Sequence, residues 1–293
     1  MLLKDKVCLV TGATSGIGLV TARELARLGA TTVIVSRSPE RCAAAVQNIR
    51  QETANPGVDF IAADLSSQAQ VRQAANAFQG RYPRLHVLVN NVGGFFLRRK
   101  QSVDGIEMTW TLNHLSYFLL TNLLLGTIQA SAPARIVNVS SGAHQGGRIN
   151  FDDLQGKRWN FGWTAYSQSK LANVLFTKEL ARHLEGSNVT VNALHPGFVA
   201  TNFARDNGVL ARLFMPLAQM GALSPEEGAL TSIYLASSPE VEGVSGKYFY
   251  QRQEASPNPV SDDPETARRL WEISAQMTGL TGGQPSGAGK LLI

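Results

Sequence analysis

Residues 6–18, KVCLVTGATSGIG, join a short apolar run to a turn that contains three glycines. The run from Lys6 to Val10 is rich in β-branched residues, which predicts a buried parallel strand. Apolar residues then recur at helical spacing from Leu19 to Leu28, which predicts a helix directly after the turn. A strand, a glycine turn and a helix in this order form the first unit of a dinucleotide-binding fold.

The glycines of this turn predict a phosphate-binding site. They let the backbone turn sharply, let a pyrophosphate approach, and let the helix pack on the strand. The first amides of the helix and its partial positive charge would bind the phosphates. The spacing is Gly-x-x-x-Gly-x-Gly, and an ordinary strand–helix turn is the alternative interpretation. We expect the cofactor to contact Gly12, Thr14, Ser15, Gly16, Ile17 and Gly18.

The end of the second strand predicts which dinucleotide is bound. The strand Thr32–Ser36 leads into Arg37, and no Asp or Glu lies between Thr31 and Pro39. An acidic residue here would bind the ribose 2′-hydroxyl of NAD, whereas an arginine suits a 2′-phosphate. We therefore expect NADP(H) to be preferred over NAD(H), with Ser36 and Arg37 as contacts. A solvated arginine at the strand tip is the alternative.

Composition excludes several classes of protein. The chain of 293 residues is 44% hydrophobic and 17% charged, so it can bury a large core. The net charge is +5, but the densest basic stretch, Arg98–Lys100, is more typical of a solvated loop than of a nucleic-acid site. Cys8 and Cys42 have neither disulfide nor metal-site spacing. We expect both to be reduced thiols that pack in the core.

The sequence also predicts a location. Met1-Leu2-Leu3 leads almost directly into the first strand, so we expect no signal peptide. The most apolar helical stretch, Tyr117–Leu125, is too short to cross a bilayer. We expect a soluble cytoplasmic protein.

Strands and helices alternate along the chain. This order predicts an α/β fold: a single Rossmann-type doubly wound parallel sheet of about seven strands with helices on both faces. We expect one domain over residues 1–278 and a disordered tail over 279–293, which is rich in Gly, Ser and Pro. The predicted strands are Val7–Val10, Val33–Ser36, Asp59–Ala62, Val87–Val89, Ile136–Val139, Thr190–Ala193 and Lys247–Tyr250. The predicted helices lie near 16–28, 39–53, 68–80, 106–130, 164–184 and 225–237.

Seven motifs, taken in order, resemble the short-chain dehydrogenase/reductase superfamily over about residues 5–278. They are TGATSGIG, Asp64, NNVG at 90–93, Asn113, Ser141, YSQSK at 166–170 and HPGFVAT at 195–201. Several longer segments, among them TLNHLSYFLLTNLLL, FDDLQGK and AYSQSKLANVLFTKELARHL, resemble the retinol dehydrogenase group more narrowly. The resemblance implies a nicotinamide-dependent oxidoreductase.

Tyr166 and Lys170 are predicted to carry the proton chemistry. They lie four residues apart in a helical pattern, hence on one face. A tyrosine with its ordinary pKa of about 10 is a poor acid or base near neutrality. A nearby ammonium and an oxidised nicotinamide ring would both lower that pKa. We expect Tyr166 to donate the proton in reduction and accept it in oxidation, and the resemblance implies that Lys170 also bonds the nicotinamide ribose.

Two polar residues are expected to assist Tyr166. Ser141 follows the strand Ile136–Val139, so it would lie at the ligand-binding edge of the sheet and hold the substrate oxygen. Ser140 is the alternative, and the resemblance favours the second serine. The resemblance also implies that Asn113 supports a water path to Lys170.

Further cofactor contacts follow from the resemblance alone. Asn90, Asn91 and Gly93 follow the fourth strand, where the loop would line the adenine-ribose side, and Val92 replaces the usual alanine. The Asp64-Leu65 segment would contact the adenine, unless Asp64 caps the next helix. The turn with Pro196, Gly197, Val199 and Thr201 would cover the nicotinamide, with Thr201 bonding its carboxamide. His195 has no partner histidine at metal spacing, so no metal is expected.

Two irregular segments, 143–163 and 198–224, are expected to form the walls of the substrate pocket. If their apolar residues face the cleft, the substrate is a lipophilic aldehyde, ketone or alcohol. The sequence does not distinguish retinoid, steroid-like, aromatic and aliphatic substrates. A packed core is the alternative interpretation. The residues are Phe151, Trp159, Phe161 and Trp163, then Phe198, Phe203, Leu210, Leu213, Phe214, Met215, Leu217 and Met220.

The sequence thus predicts an NADP(H)-dependent carbonyl reductase or alcohol dehydrogenase. A cofactor-sensing protein with little catalysis and a reductase of a large ring substrate are the alternatives. Ser116-Tyr117 stands where relatives commonly have glycine and histidine. In the family this helix often forms the subunit contact, so the sequence does not fix the oligomeric state, and a homodimer and a homotetramer are both possible.

Overall fold

One eight-stranded sheet forms the centre of the protein, in a computed structural model that describes residues 1–158, 162–199 and 222–280. The strands are β1 Val7–Thr11, β2 Thr31–Ser36, β3 Val58–Ala62, β4 Val87–Asn90, β5 Ala134–Val139, β6 Val189–His195, β7 Tyr248–Tyr250 and β8 Gln253–Glu254. Their order is β3-β2-β1-β4-β5-β6-β7-β8. The first seven pair in parallel, as predicted, and the two-residue β8 adds an antiparallel edge.

Helices cover both faces of the sheet. They are α1 Gly16–Arg27, α2 Pro39–Thr53, α3 Gln68–Arg81, α4 Met108–Trp110, α5 Ser116–Gln129, α6 Gly162–His183, α7 Pro225–Ser237 and α8 Pro264–Met277. Buried residues of α1, α2 and α7 share one apolar core, and those of α3, α5 and α6 share the core on the other face. The doubly wound architecture predicted from the sequence is confirmed.

The helix α8 is absent from the sequence-based prediction. It begins after Asp263, whose carboxylate accepts hydrogen bonds from the backbone of Glu265 and Thr266, and Pro264 occupies its first turn. Trp271 anchors it, with ring centroids 4.9 Å from Phe118 and 5.8 Å from Phe176. The helix therefore covers apolar surface of α5 and α6.

Three further expectations concern the cysteines, a membrane-crossing helix and the C-terminal tail. Cys8 and Cys42 are both buried and unpaired. Within the described ranges, no helix has the length and apolarity that a membrane crossing requires. Of the predicted tail, residues 281–293 lie outside the described part of the chain.

Candidate active site

The parallel sheet brings the ends of β1, β4, β5 and β6 to one edge. The chain reverses its winding between the neighbouring strands β1 and β4, and this switch point is where parallel α/β sheets bind ligands. Four predicted site segments follow these strands: the glycine turn, the Asn-Asn loop, Ser141 and the Pro196–Val199 turn. Residues far apart in sequence thus meet at one crevice.

Ser140 and Ser141 follow β5 and have different partners. The Ser140 hydroxyl is buried and donates to the carbonyl oxygen of Lys170 at 2.8 Å. The Ser141 hydroxyl accepts a hydrogen bond from the Ala143 amide at 3.2 Å and also bonds the Tyr166 side chain. Ser141, rather than Ser140, therefore reaches the tyrosine.

Tyr166 and Lys170 lie on one face of α6 and are both buried, with 7% and 3% of their surface exposed. The Lys170 Nζ atom donates to the Val139 carbonyl oxygen at 3.0 Å and lies 5.8 Å from the centre of the Tyr166 ring. The strand end, the phenol and the amine therefore form one cluster at the crevice.

Burial dominates the titration of both groups in the protein alone. It raises the pKa of Tyr166 to about 12, against a smaller lowering by the Ser141 hydrogen bond. It also lowers the pKa of Lys170 to about 7. In the protein alone the pKa of the phenol is therefore shifted upward, whereas the lowering predicted from the sequence also relies on the positive charge of a bound oxidised nicotinamide.

Asn113 lies on a π-helical turn, Thr111–Leu115, between α4 and α5. Its Oδ1 accepts from the Gly94 amide at 2.8 Å, and its Nδ2 donates to the Gly94 carbonyl and to the Ser169 hydroxyl, both at 3.0 Å. The side chain thus joins the loop after β4 to α6. A Cβ atom on Gly93 would lie 3.3 Å from Asn113 Oδ1 and 3.5 Å from Lys170 Nζ, so this glycine keeps open the space between the two.

The loop after β4 serves two different purposes. Asn90 is fully buried, and its Nδ2 donates to Thr121 and to Asn138, both at 2.9 Å. Asn91 donates through Nδ2 to the Thr11 carbonyl at 2.8 Å. The first asparagine thus binds core groups, and the second holds the glycine turn in place.

The glycine turn has the geometry that a dinucleotide requires. Gly12 and Gly16 have φ angles of +67° and +56°, and a Cβ on Gly18 would lie 2.5 Å from the Gly12 carbonyl oxygen. At the start of α1, the Ser15 side chain makes no capping hydrogen bond. The helices α2, α3, α7 and α8 do have side-chain caps. The first amides of α1 are therefore left for an anionic group, with Thr14 and Ile17 beside them.

The ends of β2 and β3 lie beside this turn. The hydroxyls of Thr14 and Ser36 are 3.2 Å apart, and Arg37 is exposed at the strand end. The Asp64 carboxylate bonds both the amide and the hydroxyl of Ser66, whereas Ser67 caps α3. Leu65, next to Asp64, is buried.

Only part of the turn after β6 is described. The His195 Nδ1 accepts from the Gly197 amide at 3.2 Å, and Gly197, after Pro196, has a φ of +89°. A Cβ on Gly228 would lie 2.6 Å from the Val199 side chain, so α7 packs closely on this turn. Thr201 lies outside the described residues. Among the residues that are described, no cluster of His, Cys, Asp or Glu suits a metal ion.

Aromatic rings flank the tyrosine. The ring centroids of Phe95 and Trp163 lie 5.7 Å and 6.1 Å from that of Tyr166, and Trp163 is 54% exposed. Phe198 is also exposed, whereas Phe151 packs against Arg269 and the core beneath α6. The other predicted wall residues, Trp159, Phe161, Phe203, Leu210, Leu213, Phe214, Met215, Leu217 and Met220, lie outside the described ranges.

Known proteins share this fold and much of this sequence. The family model for short chain dehydrogenases matches residues 6–208. Retinol dehydrogenase 14 of Homo sapiens is 46% identical over 295 residues, covering 95% of this chain and 88% of that protein.

Solved structures agree with this assignment. An uncharacterised protein from Mycobacterium paratuberculosis superposes with a TM-score of 0.76 at 34% identity and 94% coverage of each chain. An Escherichia coli short chain dehydrogenase complexed with NADPH superposes with a TM-score of 0.68 at 25% identity, covering 86% of this chain and 98% of that one. The chain therefore belongs to the short-chain dehydrogenase/reductase family of oxidoreductases, and within it resembles the retinol dehydrogenase group.

Proposed function

We propose that the protein is an NADP(H)-dependent oxidoreductase that interconverts a lipophilic aldehyde or ketone and its alcohol by hydride transfer. The observation that carries this proposal is the hydrogen bond between Ser141 and Tyr166 at the carboxyl edge of the sheet, with Lys170 Nζ 5.8 Å from the phenol ring centre. A protein that only senses a dinucleotide needs the phosphate-binding turn but has no use for this cluster.

The chain's own residues would handle the proton. Bound in the crevice, the nicotinamide cofactor supplies or accepts the hydride and, when oxidised, a positive charge. The Ser141 hydroxyl accepts from Ala143, so its own proton is directed to the tyrosine or to a substrate oxygen. Tyr166 is protonated at neutral pH because of its raised pKa, and this is the form that donates to the oxygen of a carbonyl undergoing reduction.

The cofactor would lie along the edge of the sheet. Its pyrophosphate would bind at the start of α1, and Asp64, Leu65, Asn90 and Gly93 would lie toward its adenosine half. Lys170 would bond the nicotinamide ribose, and the Pro196–Thr201 turn would cover the nicotinamide. We assign Asn113 to the proton path, through the space that Gly93 leaves between it and Lys170.

The preference for NADP(H) is supported by Ser36, the last residue of β2, and by Arg37, which follows it where a 2′-phosphate would lie. The related Escherichia coli structure with NADPH is consistent with this choice. A lipophilic substrate is supported by the rings of Phe95 and Trp163 beside Tyr166 and by the names of the related retinol dehydrogenases. Retinoids are one candidate among lipophilic carbonyls, and the cytoplasmic location stays a prediction from the sequence.

The role of Tyr166 can be tested by the substitution Tyr166→Phe. Carbonyl reduction should fall by roughly 100-fold or more, the range in which acid–base groups contribute, because the phenol proton is removed. Affinity for NADPH should be unchanged, as measured by quenching of protein fluorescence. Turnover is followed by NADPH absorbance over a panel of aldehydes and ketones. Undiminished turnover in the variant would remove Tyr166 from its role, and a wild type that binds NADPH but reduces nothing would favour the cofactor sensor.

The choice of cofactor has a separate test. Arg37→Asp places an acidic residue at the end of β2, where it would repel a 2′-phosphate and accept from a ribose 2′-hydroxyl. We expect the ratio of kcat/KM for NADPH to that for NADH to exceed one in the wild type and to drop at least tenfold in the variant, which corresponds to about 1.4 kcal/mol. Arg41 is an exposed residue in the first turn of α2, and Arg41→Asp is the matched control. Better use of NADH by the wild type would contradict the assignment.

A further inference from the structure

His144 is buried beside the proposed catalytic serine, in the short 3₁₀ helix Gly142–Gly146. Its Nδ1 lies 2.7 Å from the carbonyl oxygen of Ser141, which can only accept a hydrogen bond. Its Nε2 accepts from the backbone amide of Asn258 at 3.2 Å. These two partners require a neutral ring with its proton on Nδ1.

Asn258 completes the connection from the other side. Its Nδ2 donates to the carbonyl oxygens of His144, Gln145 and Gly147 at 3.2, 2.9 and 3.2 Å. The residue is buried, and it lies 114 positions along the chain from His144. One asparagine therefore joins the whole 3₁₀ turn to the segment that follows β8.

The same turn fixes the direction of the Ser141 hydroxyl. Ser141 is its N-terminal cap, and Ser141 Oγ accepts from the Ala143 amide inside it. A change in the path of residues 141–144 would move this amide, and with it the hydroxyl that bonds Tyr166. The imidazole bond to the Ser141 carbonyl therefore acts on the backbone that carries the catalytic oxygen.

We propose that His144 is a positioning residue: held by Asn258, it fixes the turn that aims the Ser141 hydroxyl at Tyr166. This inference rests on the proposed function, since it assigns His144 to the same site. Tyr248 of β7 packs against the ring with centroids 4.6 Å apart, and His195 of β6 is the other titratable neighbour. Burial lowers the pKa of His144, which keeps it in the neutral form that both hydrogen bonds require.

A pair of substitutions separates the two bonds. In His144→Asn the amide nitrogen can take the place of Nδ1 and still donate to Ser141, whereas His144→Phe keeps a ring against Tyr248 but makes neither bond. Both variants lose the acceptor for the Asn258 amide. We expect kcat of His144→Phe to fall on the order of 10- to 100-fold through misplacement of the reacting groups, and His144→Asn to keep most of it. Cofactor affinity should be unchanged in both, because His144 does not lie on the phosphate-binding turn.

Amide hydrogen exchange of residues 141–147 gives a readout that needs no turnover. Exchange should accelerate in His144→Phe and in Asn258→Ala, but not in His144→Asn. If His144→Phe does not fold, Asn258→Ala provides the same test. Equal kcat in His144→Phe and the wild type, or equal losses in both His144 variants, would overturn the positioning role. If the wild type reduces no carbonyl, the proposed function fails, but hydrogen exchange still tests whether His144 holds the turn. Unchanged protection of residues 141–147 in His144→Phe would overturn the inference.

Discussion

In the proposed mechanism, the protonation state of Tyr166 decides which direction of the reaction is easier. In the protein alone, burial raises its pKa to about 12, so the phenol keeps its proton throughout the neutral range. Reduction of a carbonyl needs this protonated form, whereas oxidation of an alcohol needs the phenolate. The two directions should therefore respond differently to pH.

We expect alcohol oxidation to accelerate steadily from pH 7 to pH 9, while carbonyl reduction stays nearly constant. Below the pKa of the phenol, the phenolate fraction rises about tenfold for each unit of pH. The measurement is kcat for both directions with saturating cofactor, since the charge of the oxidised cofactor will move the absolute pKa. An oxidation rate independent of pH across this range would show that another group accepts the proton.

At the residue scale, the sequence predicted which residues share a helix face better than it predicted contacts between distant segments. Tyr166 and Lys170 could be placed together because helical spacing is local. The partners of Asn113 and His144 could not, because Gly94 and Asn258 approach them only in the folded chain. Phe151 was expected in a pocket wall but packs on Arg269, since apolar spacing does not distinguish a cleft from a core.

Among the elements, the parallel strands were the most predictable. Most of their short apolar, β-branched runs are buried on both faces, so the pattern can be recognised without knowing which elements pack against them. The helix α8 was missed although Asp263 and Pro264 are ordinary starting signals. The helix is held to the fold by Trp271, whose ring contacts Phe118 and Phe176. These partners belong to helices far away in the sequence, so local patterns could not reveal the contact.

The packing of α8 predicts a large effect for Trp271→Ala. This change removes ring contacts with α5 and α6, and it should lower the free energy of unfolding by about 2–3 kcal/mol, somewhat less than for a fully buried tryptophan. Trp163→Ala is the matched control: this tryptophan is 54% exposed, so its loss should cost about 0.5 kcal/mol or less. Urea denaturation measures both, and equal losses would contradict the anchoring role.

At the scale of the whole molecule, the crevice is assembled from strands that are remote in sequence. The switch between β1 and β4 brings the glycine turn, residues 90–93, Ser141 and the turn after β6 to one edge. Assembling it forces a lysine into the interior. The stability of the entire fold should therefore depend on the titration of Lys170.

We expect the free energy of unfolding to rise with pH above 7 relative to that of Lys170→Met. Burial lowers the pKa of Lys170 from 10.5 to about 7, so between these values the unfolded chain binds a proton that the native protein does not. Under this condition stability increases with pH, is greatest above 10.5, and is lost as pH falls toward 7. Denaturation at several pH values up to 9.5 measures the difference. Parallel curves for the two proteins would show that the amine stays charged in the native state.

The burial of both native cysteines has a practical consequence for attaching the protein to a solid support. Burial raises the pKa of Cys8 to about 12, and a thiol in that state reacts slowly with alkylating reagents. Gly80, exposed near the end of α3, has open space around the position of a side chain. A cysteine introduced there would be the accessible point of covalent coupling, and every tethered molecule would turn its crevice in the same direction.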